Sequence, residues 1–177
     1  MSGRAGARVL VTGGAGFIGA NLADRLLRDG CEVVVLDALA RPGVERNLAW
    51  LQANHRRLGF VQADVRDRTE VERAADGADA VFHLAAQVAV TTSLDDPRAD
   101  FETNLLGTLN VLEAARAARA PVVFASTNKV YGDLADIALE LHDDAWAPAD
   151  ARIHDCGIAE DRVAQARKEL EARGLVA

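Results

Sequence analysis

Apolar and polar positions fall in alternating blocks along this chain. Arg8 to Thr12 is a short aliphatic run rich in β-branched residues, which predicts a strand. The chain turns through Gly13, Gly14 and Gly16 into Phe17–Asp29. There Ile18, Leu22 and Leu26 recur at i, i+4 and i+8, the spacing of one helix face, and Gly30 caps the end. The alternation continues with a strand at Glu32–Leu36, a loop with Pro42 and Gly43, and a short helix at Val44–Ala53. A strand at Gly59–Gln62, a helix at Thr69–Ala75 and a strand at Ala80–Leu84 follow. A polar loop from Gln87 to Pro97 leads into a long helix from Arg98 to about Ala118, with Phe101, Leu105, Thr108, Leu112 and Ala115 on its apolar face. Pro121–Ala125 is a fifth strand. Strands apolar on both faces belong to a parallel sheet covered on both sides, with right-handed helical crossovers. The expected fold is therefore α/β, a Rossmann-type doubly wound parallel sheet of about five strands followed by a C-terminal helix. Residues 1–132 form the sheet domain. Residues 133–177 form a loop at Asp133–Gly157 and then a helix at Ala159–Arg173, where Val163, Ala166 and Leu170 share a face.

In such a sheet, ligands bind where the strands end. The first strand feeds a glycine-rich turn that opens a helix, and the first turn of a helix has unpaired N–H groups and a partial positive charge. That is an anion site, and glycines let a pyrophosphate approach the backbone. Asp37 closes the second strand about twenty residues on, where a carboxylate binds an adenosine ribose. Asp64 and Val65 follow the third strand, where an Asp accepts from an adenine amino group and the next N–H reads the ring. Leu84, Ala85, Ala86 and Gln87 follow the fourth, small enough for a cofactor to lie flat. Asn104 lies at the edge of the long helix, where its amide can brace a strand end. Ser126, Thr127, Asn128 and Lys129 follow the fifth, where a hydroxyl can bond a substrate hydroxyl losing a proton. Plainer readings stand beside these: a turn or cap aspartate at Asp64, a solvated helix residue at Asn104, and a self-satisfied turn at Ser126–Lys129.

Composition narrows the partners. The 177 residues suffice for one ordinary domain with a real core. A net charge of −7 argues against a nucleic-acid surface, which needs clustered Lys and Arg. No apolar run approaches bilayer length, and no apolar signal core precedes the first strand, so the expected location is cytoplasmic, with no membrane partner. Cys31 and Cys156 are isolated and read as free thiols. His142, Asp143, Asp144, His154, Asp155 and Cys156 match no zinc or calcium spacing, so no metal is expected. His83, Trp50 and Trp146 read as packing residues.

Taken together, T-G-G-A-G-F-I-G, Asp37, Ala63-Asp64-Val65, H-L-A-A-Q at His83–Gln87, Asn104 and S-T-N-K-V-Y-G at Ser126–Gly132 resemble the extended short-chain dehydrogenase/reductase superfamily. Within it the chain is similar to the NAD-dependent nucleotide-sugar epimerases and dehydratases. Leu39–Leu51, His83–Leu94 and Ser126–Gly132 narrow the likeness to the CDP-sugar epimerases. The resemblance spans about residues 8 to 161. It implies NAD as cofactor, with Gly13, Gly16 and Gly19 around the pyrophosphate and Phe17 and Ile18 among the cofactor contacts. It implies Asp37 on the ribose, selecting NAD over NADP, and Asp64 and Val65 on adenine. Leu84, Ala85, Ala86 and Gln87 fall on the nicotinamide side, and Asn104 joins the cofactor set. Thr127 becomes the catalytic hydroxyl. Val88, Thr92, Ser93, Asn128 and Lys129 border a nucleotide-sugar, CDP-linked by the same likeness. The implied reaction is transient oxidation of a sugar hydroxyl, then hydride return to the opposite face.

One departure matters. The superfamily's base is a Tyr with a Lys four residues on, which lowers the phenol pKa. Tyr131 is the only tyrosine and is followed at that distance by Ala135; Lys168 is preceded by Ala164. The expectation is a truncated or diverged chain whose cofactor half is preserved and whose catalysis is impaired. The alternative is a non-catalytic NAD-binding or interaction module. A sheet ending at its fifth strand leaves an open edge, so a homo-oligomer is also expected.

Overall fold

The computed structural model describes residues 6–126, 137–142 and 145–156. The chain divides into two compact units, residues 1–125 and 126–177. In the first, β1 (Arg8–Thr12), α1 (Phe17–Arg28), β2 (Glu32–Asp37), α2 (Val44–Asn54) and β3 (Leu58–Gln62) build one half of a sheet. Then come α3 (Arg68–Ala75), β4 (Ala80–His83), α4 (Val90–Asp95), α5 (Pro97–Phe101), a π-helical turn (Glu102–Leu106), α6 (Gly107–Ala118) and β5 (Val122–Phe124). All five strands run parallel in the order β3-β2-β1-β4-β5. The order reverses between β1 and β4, which leaves a crevice outside their C-terminal ends.

The strands alternate within themselves. Val9, Val11, Val33 and Val35 face α1 and α2, where Ala20, Ala23, Leu27 and Leu51 complete one core. Leu10, Val34, Leu36 and Val81 face the other way, onto Val71, Ala74, Val111 and Ala114 of α3 and α6. Both faces are covered, and at about 25 cal/mol per Å² this double burial supplies most of the unit's stabilisation.

Four sequence expectations are corrected. The stretch read as a polar loop at Gln87–Pro97 contains α4. In α1 the fully buried residues are Gly19, Ala20, Ala23 and Leu27; of the predicted face, Leu22 and Leu26 are partly buried against the same core, while Ile18 stands out to solvent. The long helix is turned about its axis: α6 buries Gly107, Asn110, Val111, Ala114 and Ala115, of which Ala115 belongs to the predicted face, while Phe101 of α5, Leu105 of the π-turn and Leu112 of α6 stand exposed. Two causes act together. The π-turn adds a residue to one helical turn and shifts the face that follows. The buried Asn110 amide donates to the carbonyls of Val65 (3.0 Å) and Arg66 (3.1 Å), so a polar residue claims the interior. Trp50 and Trp146 are exposed rather than packed.

The second unit also departs from expectation. Within the predicted loop, β6 (Leu139–His142) and β7 (Ala145–Pro148) pair antiparallel, followed by the short helix α7 (Ala151–Cys156). The Asp/Ala-rich composition hid this hairpin. The predicted helix at 159–173 lies outside the described residues.

Candidate functional site

The crevice between the β1 and β4 ends opens into a cleft of about 630 Å³ in the first unit. Gly13 sits at its base with φ +68°. A Cβ there would lie 2.7 Å from the Ala85 amide nitrogen, so only glycine lets the β1 turn meet the chain leaving β4. A Cβ at Gly19 would lie 2.3 Å from the Gly13 carbonyl, so α1 starts pressed against the turn that feeds it. Gly16 is the N-cap of α1, makes no side-chain cap bond, and is followed by no acidic residue in the first turn. By contrast α3 and α5 are capped by the carboxylates of Asp67 and Asp96. The α1 amides are thus left for an anion.

The turn itself is held from two sides. The Ala15 amide donates to Asp37 Oδ2 at 3.0 Å, and the Ala15 carbonyl accepts from Asn47 Nδ2 of α2 at 2.9 Å. The Leu39 amide donates to Asp37 Oδ1 at 2.8 Å. Each Asp37 oxygen therefore has one backbone donor and a further lone pair to offer a ligand. On the β3 side, Asp64 accepts from the Arg66 amide at 2.9 Å and pairs with its guanidinium at 2.8 Å. That side-chain bond outweighs burial and holds the Asp64 carboxyl below its ordinary pKa, so it stays an acceptor.

A buried relay holds the β4 end. Thr108 Oγ1 donates to the Asn104 carbonyl at 2.6 Å, which uses its only proton. It must then accept from His83 Nε2, 3.0 Å away, so His83 is protonated at Nε2 and its Nδ1 accepts from Thr12 Oγ1 at 2.7 Å. Thr12 Oγ1 in turn accepts from the amides of Leu84 and Ala85, each at 3.3 Å. Burial pushes the His83 pKa down to about 4, in keeping with a neutral ring. The Asn104 amide completes the chain: its Oδ1 accepts from the Gln87 amide at 2.8 Å and its Nδ2 donates to the Gln87 carbonyl at 2.9 Å. One helical stretch, the π-turn and α6, therefore fixes both the β4 exit and the Val65 turn. His83 is a packed residue, as its place in the sequence suggests.

The predicted residues divide as follows. Gly13, Gly16, Asp37, Asp64 and Val65 line the cleft. So do Leu84, Ala85, Ala86, Gln87, Val88 and Thr92. Gly19 and Asn104 act through their neighbours. The side chains of Phe17 and Ile18 are 81% and 68% exposed and do not line it. Ser93 points back along α4, its hydroxyl donating to the Val90 carbonyl at 2.7 Å. Thr127, Asn128 and Lys129 lie outside the described residues. Asn47, Arg41, Thr12 and Thr108 were missed. Asn47 and Arg41 sit in a stretch the sequence singled out only as a whole, and nothing local marks a helix Asn as reaching a turn thirty-two residues away.

The residues present fit a dinucleotide: a cradle that a Cβ would fill, a free helix N-terminus, and a carboxylate with spare lone pairs one strand over. The GDP-mannose 4,6 dehydratase family matches residues 10–148. CDP-paratose 2-epimerase from Salmonella typhi is 47% identical over 134 residues, 72% of this chain and 38% of its own. dTDP-glucose 4,6-dehydratase from Mycolicibacterium smegmatis is 41% identical over 129 residues, 72% of this chain and 38% of its own. Among solved structures, the UDP-glucose 4-epimerase of Thermus thermophilus in complex with NAD has a TM-score of 0.63 at 37% identity, covering 95% of this chain and 52% of that one. Pal from Bacillus thuringiensis has a TM-score of 0.68 at 35% identity, covering 89% and 51%. The chain spans only 38% of the length of these curated relatives.

Proposed function

The chain belongs to the GDP-mannose 4,6 dehydratase family of extended short-chain dehydrogenases/reductases, and from that premise we propose that its cleft holds NAD for transient oxidation of a nucleotide-sugar. The observation that carries this is the convergence of the Gly13–Gly16 turn, the bare α1 N-terminus and Asp37 on one crevice at the switch in strand order. Bound there, NAD supplies reversible hydride acceptance from a sugar carbon. The α1 amides take the diphosphate charge. Asp37 orients the adenosine ribose and repels a 2′-phosphate, which selects NAD over NADP. Asp64, kept ionised by Arg66, accepts from the adenine amino group beside Val65. Leu84 to Gln87 give the nicotinamide a flat wall whose position the His83 relay and Asn104 fix. Val88 and Thr92 border the sugar-nucleotide side. Thr127 is the hydroxyl that bonds the substrate hydroxyl, and Asn128 and Lys129 contact the nucleotide-sugar.

The finer proposals are a CDP-linked sugar, a homo-oligomeric state and a cytoplasmic location. The 47% identity to a CDP-sugar epimerase supports the first. Exposed Leu105, Leu109 and Leu112 along the π-turn and α6 support the second. A second reading, an NAD-binding or interaction module without catalysis, is favoured by one fact: these 177 residues contain no Tyr with a Lys four residues on.

Calorimetric titration with NAD, followed by epimerisation assays on CDP-, UDP- and dTDP-sugars, tests both readings. Saturable one-to-one NAD binding is expected. Asp37→Ala should weaken it by roughly tenfold, the loss of about one charge-assisted hydrogen bond, with an unchanged circular dichroism spectrum. Unchanged affinity contradicts the ribose role. Binding without turnover supports the module reading for this stretch. Robust turnover would reveal a base other than the family's Tyr/Lys pair.

A further inference from the structure

The cleft is lined by four carboxylates, Asp37, Asp64, Asp96 and Asp100, against two cations, Arg41 and Arg66. The diphosphate of a dinucleotide brings two more negative charges. Arg66 is already committed to Asp64 at 2.8 Å and lies 3.7 Å from Glu102. Arg41 makes no carboxylate pair among the described residues; its side-chain bond there is from Nη2 to the Ala86 carbonyl, at 3.4 Å. Arg41 stands on the β2 rim and Ala86 on the β4 rim, so the guanidinium crosses the cleft mouth. A long bond from an exposed cation to a neutral carbonyl is weak, and a phosphate is a far better partner for the planar fork.

The backbone beneath Arg41 is built to hold that position. Leu39 has φ +52°, the left-handed region that a branched side chain rarely adopts, and its amide is tied to Asp37 Oδ1. Pro42 follows Arg41 and restricts it to extended backbone. Gly43, at φ +92°, then opens α2. A strained, locally fixed turn thus carries the cleft's uncommitted cation on a short tether from the residue assigned to the ribose.

On the reading of the cleft as an NAD site, we propose that Arg41 is a strap over the cofactor. Its guanidinium leaves the Ala86 carbonyl for the diphosphate oxygens and supplies the counter-charge that the aspartates have not already taken. Because Asp37 keeps a 2′-phosphate away, the strap's charge serves the diphosphate.

The test is calorimetry on wild type, Arg41→Ala and Arg41→Lys with NAD and ADP-ribose, with adenosine followed by NMR at higher concentration. Arg41→Ala should bind NAD and ADP-ribose about tenfold more weakly at low ionic strength. That gap should close as salt rises, since the lost contact is electrostatic and exposed. Adenosine, which has no phosphate, should bind both proteins equally. Arg41→Lys should recover the salt-dependent part of the affinity. An equal loss for adenosine would overturn the proposal by making Arg41 a loop-shaping residue. Unchanged affinity for ADP-ribose in Arg41→Ala would overturn it as well. Failure of wild type to bind NAD would instead remove the reading of the cleft on which the strap rests, and is seen before any variant is made.

Discussion

At the scale of single residues, the clearest consequence of the structure is the neutral, buried His83. Its ring is 1% exposed and sits between Thr12 and Thr108, so a proton added to it has no acceptor to meet. Its folded pKa, about 4, lies below the ordinary histidine value. Between those two values the unfolded chain binds a proton that the folded chain does not. Stability therefore rises with pH across that window and falls as pH drops from about 6.5 to about 4, by about 3 kcal/mol in total. Urea unfolding of wild type and His83→Asn at several pH values checks this. The variant should be less stable near neutrality but flatter through the window. Parallel profiles would mean that His83 is charged in the folded state or accessible to water. Sequence position alone marked His83 as packed, but the tautomer came from the partners: Thr108 spends its proton on the Asn104 carbonyl, which no local pattern encodes.

At the scale of elements, α6 shows where sequence periodicity misleads. Leu105 and Leu112 outrank Asn110 on any hydrophobic scale, so the predicted face put them inward. The structure puts Asn110 and small residues inward because a polar carbonyl pair at Val65 and Arg66 needs a donor there. A Cβ at Gly107 would also come within 2.6 Å of Val65 Cγ2, so only glycine lets the helix approach that closely. The two faces can be told apart by substitution. Val111→Asp places a charge in a fully buried site and should unfold the first unit, a cost of several kcal/mol. Leu112→Asp, on the half-exposed face, should change stability by under about 0.5 kcal/mol while reducing any self-association. Denaturant midpoints and sedimentation on the two variants decide it; equal destabilisation would restore the face that periodicity suggests. The strands were legible because Val and Leu on both faces leave little choice of layer. The hairpin of β6 and β7 was not, because the alternation Leu139-Glu140-Leu141-His142 is only four residues long and set in an Asp/Ala-rich stretch that otherwise reads as loop.

At the scale of the whole molecule, the order of elements and the cleft at the strand-order switch follow from the sequence with few corrections. The glycine turn and Asp37 were readable because their spacing is imposed by one strand, one turn and one helix. The positioning residues Asn47, Thr108 and Asn110 were not, since each reaches across the fold to a partner twenty-five or more residues distant. Everything functional rests on that cleft receiving a dinucleotide. The most direct measurement is a crystal structure of the chain grown with NAD. The account predicts the diphosphate over the Gly13–Gly19 turn, with an adenosine ribose hydroxyl within hydrogen-bonding distance of Asp37. A cleft that stays empty, or that the chain's own side chains fill, would contradict it.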